Sequence, residues 1–154
     1  MFREMRRNTK ELSKEEAEAM LREAAYGTLA MQSVDGHPYS VPTSFVYDGG
    51  KLYFHGARAG QKYETFVKND EISFSVVGKN DIQPAKFTTF FASAIAFGKA
   101  KMLTDDKEIQ KGMELFLKKY SPEFMESGKE YIKEKWDAFY VYEVTIEQLT
   151  GKGC

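Results

Sequence analysis

From residue 28 onward the chain alternates apolar and polar positions at the two-residue period of half-buried strands, interrupted by stretches of helical period. Residues 28–34, TLAMQSV, predict a first strand, and Asp35-Gly36 marks a hairpin because both turn positions tolerate positive φ. A second strand over 39–47 sets Tyr39, Val41, Thr43, Phe45 and Tyr47 against Ser40, Pro42, Ser44 and Val46. Asp48-Gly49-Gly50 turns it into a third, KLYFH at 51–55, and EISFSVV at 71–77 predicts a fourth with Ile72, Phe74 and Val76 on one face.

A long strand over 87–102 follows. One of its faces is small, with Ala92, Ala94, Ala96, Gly98 and Ala100, and the other carries Phe91, Ser93, Ile95 and Phe97. Such a stripe admits a flat ligand or a second backbone, or packs against bulky neighbours. The last strand, AFYVYEVTIEQL at 138–149, is apolar on both faces, as a strand with a second layer or subunit over it must be.

Helices punctuate this meander. Ser13 and Glu16 form a capping box ahead of a helix over 13–25, with Gly27 as its stop. A short helix over 61–68 follows the third strand. Asp105 and Glu108 open another, whose Ile109, Met113, Phe116, Leu117 and Tyr120 keep a 3.6-residue period until Ser121-Pro122 breaks it. A further helix spans 123–134. About six antiparallel strands with few helices predict a mainly β fold, a small barrel with flanking helices. Side chains fill a barrel of this size, so a ligand must bind outside it.

Composition narrows the picture. At 154 residues, 42% hydrophobic and 29% charged, the chain reads as one globular domain over 1–154. Its net charge of −1 gives no field for nucleic acid or an anionic membrane, although MFREMRRNTK is locally basic. No apolar run has the length of a signal core or membrane span, so the expected compartment is the cytoplasm. The one cysteine, Cys154, and two histidines argue against an intrachain disulfide or a zinc site.

Candidate chemistry gathers where the third strand ends, at HGARAGQK. Small residues let backbone N–H groups approach an anion, a helix start offers its positive end, and Lys62 supplies a point charge. A plain strand-to-helix connection is the competing reading, since the nucleotide-binding Gly-Lys-Ser spacing is missing. His55 is either a structural hydrogen-bonding group or a proton donor. Pro42 cannot donate to a ladder, so its strand is an edge or is bulged there, and a bulge would free backbone groups of Val41 and Thr43 for a heteroaromatic ring. No familiar hydrolase or Rossmann motif occurs.

Taken together, MFREMRR, GTLAM at 27–31, HPYSVPTSFVYDGGKLYFHGA at 37–57, GQK at 60–62, SAIAFGKA at 93–100 and LTGKG near the end resemble the pyridoxamine-phosphate-oxidase-like flavoproteins, in particular their Nim-type 5-nitroimidazole reductase branch. The resemblance implies an FMN-binding split barrel with Greek-key antiparallel topology, a homodimer, and one FMN in each of two clefts between subunits. Tyr39, Ser40, Val41, Pro42 and Thr43 would line the flavin ring, and His55, Gly56, Gln61 and Lys62 would hold its phosphate. Ser93 would reach across from the other subunit, with Trp136 and the N-terminal arginines closing the pocket. The implied activity is an FMN-dependent reductase in which a nicotinamide donor charges the flavin and a small acceptor, such as a nitroaromatic, is reduced, with His55 delivering protons. The alternative is a non-enzymatic flavin-, haem- or deazaflavin-binding sensor or carrier. The C-terminal segment lacks the arginines by which the oxidase proper binds pyridoxal phosphate, which argues against pyridoxamine phosphate as substrate.

Overall fold

In the computed structural model, which describes residues 2–154, the chain forms eight strands and four α-helices. The strands are β1 (Glu11–Leu12), β2 (Gly27–Gln32), β3 (Pro38–Thr43), β4 (Val46–Asp48), β5 (Lys51–Ala57), β6 (Glu71–Gln83), β7 (Thr88–Met102) and β8 (Phe139–Gly153). The helices are α1 (Lys14–Glu23), α2 (Gln61–Lys68), α3 (Asp106–Tyr120) and α4 (Met125–Glu134). Pairing is antiparallel throughout, in the order β3-β2-β6-β7-β8-β5-β4, with β1 added to β8. The two ends of that path, β3 and β4, are joined by Ser44 and Phe45 alone, so the sheet must curl until its ends meet. Among the described residues no ladder joins them, and the architecture is a split barrel.

The seam is held by side chains rather than by strand pairing. Tyr120, at the end of α3, accepts a hydrogen bond from Phe45 N–H at 3.0 Å and donates to the Ala25 carbonyl at 2.6 Å. Lys119 donates to the carbonyls of Ala24 at 2.7 Å and Phe45 at 2.9 Å, with its ammonium 3.9 Å from the Phe45 ring centroid. Backbone groups that a continuous strand would have paired are thus satisfied by α3. Burial pushes the Lys119 ammonium down to about 8, which leaves it charged at neutral pH.

Aromatic side chains fill the barrel. Phe45, Phe54, Phe74 and Tyr142 are fully buried together with Leu29, Leu52 and Val144. The small-residue stripe of β7 faces this interior, with Ala94 and Ala96 buried, so it makes room for bulky neighbours rather than for a ligand. At Gly98 a Cβ would lie 2.3 Å from the Thr145 carbonyl oxygen, at the bulge where β7 changes register on β8. A second cluster of Val46, Tyr53, Leu103, Phe116 and Val141 lies between the sheet's outer face and α3. This accounts for the double-sided apolar pattern of the last strand and for the burial of Tyr53.

Several expectations are corrected. The helix predicted over 13–25 ends at Glu23 with Ala24 as its cap, and Gly27 instead starts β2, where its missing side chain makes room for Phe74. The strand predicted over 39–47 breaks at Ser44–Phe45, because the chain must cross the seam there. Pro42 lies on an edge strand in unbroken register with β2, opposite Thr28, so no bulge forms there. The 71–77 strand continues to Gln83 past a bulge between Val77 and Lys79, and the last strand runs through Gly153. None of the helices among the described residues is long and apolar enough to cross a membrane.

Candidate functional site

Strand β5 delivers His55 and Gly56 to the rim of the barrel, and Gly60 breaks the chain into α2 with φ +106°, a conformation that side chains disfavour. No side chain caps the start of α2. The first N–H groups of the helix therefore stay available to an anion. The Lys62 side chain folds back from α2 across Gly56: a Cβ there would lie 3.2 Å from Lys62 Cε and 3.3 Å from its Nζ. Glycine at 56 is thus what allows an ammonium to lie close over the strand backbone. The result is a cradle with a cation, free backbone donors and an imidazole at its edge.

The electrostatics agree with an anion site. Burial lowers the pKa of His55, and the nearby Lys62 charge lowers it further. Burial likewise lowers that of Lys62. A bound anion beside these two groups would offset both shifts, because it favours their protonated forms. The His55 ring packs edge-on against Phe116, centroids 4.6 Å apart, while one side of the residue stays open to solvent. Phe116 stacks in turn on Tyr120 at 6.1 Å, which grips Phe45 at the seam. The cradle is thereby tied by two ring contacts to the end of β3. Along β3, Tyr39, Val41 and Thr43 turn inward while Ser40 and Pro42 are exposed. Gln61 is exposed on the first turn of α2.

The structure places Ser93 elsewhere. It lies on the outward face of β7, in a cavity of about 260 Å³ with Arg3, Met5, Ile95, Phe97, Gln148, Thr150 and Lys152. Ser93 pairs with Lys152, whereas Met102 pairs with Tyr142 at the level of His55. That difference along β7 corresponds to roughly 30 Å at the rise of an extended strand. One chain therefore does not bring Ser93 to the His55 cradle. The basic N-terminal arm packs on this same face, where Phe2 stacks on Phe97 at 5.2 Å. Trp136 lies in a short turn before β8, edge-on to Phe139.

Three residues near the cradle escaped the sequence reading: Arg58, Tyr63 and Tyr140. Tyr63 and Tyr140 stack at 4.7 Å with an interplanar angle of 11°, and the Tyr140 hydroxyl donates to Tyr63 at 3.2 Å. The Arg58 guanidinium carbon lies 4.5 Å from the Tyr140 ring centroid. A cation in a small-residue loop and the FYVY run are visible in the sequence, but only the pairing of β5 with β8 brings them together.

A family model described as pyridoxamine 5'-phosphate oxidase matches residues 13–153. A comparison with curated proteins finds no match. Among solved structures, a candidate 5-nitroimidazole antibiotic resistance protein of Bacteroides thetaiotaomicron superposes with a TM-score of 0.75 at 20% identity, over 92% of this chain and 85% of that one. A flavocytochrome of Azotobacter vinelandii gives a TM-score of 0.80 at 18% identity, over 98% and 72%. An FAD-binding protein of Mesorhizobium loti gives 0.65 at 21% identity, over 94% and 96%. At these identities the likeness is one of fold.

Proposed function

Because this chain belongs to the pyridoxamine 5'-phosphate oxidase family, we propose that it is a flavin-dependent oxidoreductase whose cradle at His55, Gly56, Gln61 and Lys62 holds the riboflavin 5'-phosphate unit of the cofactor. The observation that carries this reading is the Lys62 ammonium lying over Gly56 beside the uncapped start of α2. These residues fit a phosphate: a point charge, free backbone donors and an imidazole converge on one spot. When bound, the flavin supplies the redox chemistry, taking a hydride from a reduced nicotinamide and passing two electrons to a small acceptor such as a nitroaromatic. The chain's own part is to anchor the phosphate, present the edge of β3 from Tyr39 to Thr43 to the ring, and keep a proton source at His55.

A homodimer completes the site in this proposal. Supporting it are the outward apolar side chains of the β6–β7 arm, with Val77 68%, Ile82 65% and Phe87 96% exposed, a surface that a second copy would cover. Supporting it too is the distance of Ser93 from its own cradle, which a partner's strand would remove. One preparation tests the whole reading. The purified protein is expected to scatter light as a dimer at micromolar concentration and to show flavin absorption that bleaches anaerobically with a reduced nicotinamide and returns with a nitroaromatic. A Soret band in place of flavin bands would move the protein to the haem carriers.

His55 gives this function a pH signature. Its pKa lies below the ordinary histidine value, so the ring is neutral at pH 7 and the apoprotein loses stability as pH falls below about 6.5. A bound phosphate dianion reverses the shift, so binding takes up a proton. FMN affinity should therefore rise between pH 8 and 6.5, and His55→Gln should flatten that rise. For the proton-delivery role, His55→Ala with flavin still bound is expected to change turnover and its pH profile; an unchanged profile removes that role.

A further inference from the structure

We propose that the Arg58–Tyr140–Tyr63 stack beside the phosphate cradle is the seat of an adenine ring, so that the cofactor this chain is built to hold is the dinucleotide FAD rather than FMN. The inference rests on the flavin reading above and specifies its ligand.

The stack is adjacent to the cradle by construction. Gly56 pairs directly with Tyr140 across the β5–β8 ladder. Paired residues in an antiparallel ladder have their Cα atoms about 5 Å apart. Arg58 leaves the end of β5, and its Nε–H donates to the Phe139 carbonyl at 3.3 Å, which orients the guanidinium with its carbon 4.5 Å from the Tyr140 centroid. Tyr63, on the first turn of α2, backs Tyr140 in near-parallel contact. Helix and strand thus hold two rings in parallel, and a planar cation extends the stack.

A mononucleotide leaves this arrangement without use, since its only phosphate lies in the Lys62 cradle. FAD continues from that phosphate to a second one and then to a purine. Arg58 is exposed, so the guanidinium keeps a solvent-facing side on which a base can stack, and its charge would favour a second phosphate beside it. Stacking of a base on an aromatic or guanidinium plane tolerates any ring edge. No hydrogen-bonding pocket for adenine is therefore required.

Calorimetric titration of cofactor-free protein with FAD, FMN and ADP separates the outcomes. Wild-type protein should bind FAD about tenfold more tightly than FMN, with ADP competing against FAD. Arg58→Ala should bring FAD down to the FMN affinity and abolish ADP competition while FMN binding persists. Arg58→Lys, which keeps the charge and loses the plane, should recover only part of the preference. FMN bound at least as tightly as FAD, or an FAD to FMN ratio untouched by Arg58→Ala, overturns this inference and leaves the flavin reading standing. Binding of neither flavin overturns both.

Discussion

Lys62→Glu is expected to weaken flavin binding by about 100-fold or more. The substitution removes a charge-assisted contact to phosphate and puts a carboxylate in the same place, so attraction turns into repulsion where burial limits screening. Lys62→Gln, which keeps a donor and removes the charge, should fall between the two. A second readout does not need the cofactor. The Lys62 charge helps to hold the His55 pKa down, so in Lys62→Glu the imidazole should titrate at higher pH, as followed by NMR of its ring protons. A displaced His55 titration with flavin affinity unchanged would mean that the two groups are neighbours but that the phosphate lies elsewhere, and the proposed anchor would fail.

What made this candidate site legible in the sequence was its locality. His55, Gly56, Gln61 and Lys62 lie within one strand-to-helix connection, so the residue types and their order already carried the geometry. The helix starts were legible for the same reason: Ser13 Oγ accepts from Glu16 N–H at 3.1 Å, Glu16 returns a contact at 2.8 Å, and Asp105 caps Glu108 N–H at 3.1 Å. The seam was not legible, because alternation runs through Ser44 and Phe45 without interruption and the groups that satisfy the break come from the far end of α3. The outer half of β6 was missed as well. GKNDIQ is mostly polar and shows little apolar alternation, yet Lys79 to Gln83 pair with Ala92 to Thr88 along the ladder. The Arg58 stack needed the β5–β8 register, which no local signal encodes.

The same distinction identifies the position on which the fold depends most. Phe74 is fully buried and meets Phe45 edge-on at 4.6 Å and Phe54 at 5.1 Å, and its ring tip occupies the space that the missing side chain of Gly27 leaves open. It therefore joins β6 to the seam, to β5 and to the start of β2 at once. Phe74→Ala removes a ring that rigid neighbours on three sides cannot follow inward. The expected loss is about 3–5 kcal/mol, read as the shift in urea midpoint at constant slope. Phe74→Leu, which keeps most of the volume and loses the edge-to-face contacts, should cost clearly less. Phe54 directly precedes His55, and Phe45 is held by Tyr120, whose ring stacks on the Phe116 that packs on His55, so the cavity opens beside both connections to the cradle. Residual folded Phe74→Ala protein should then bind flavin more weakly than Phe74→Leu does. A loss below about 1 kcal/mol would mean that the barrel closes over the gap, and that the aromatic interior is not what holds the two ends of the split sheet together.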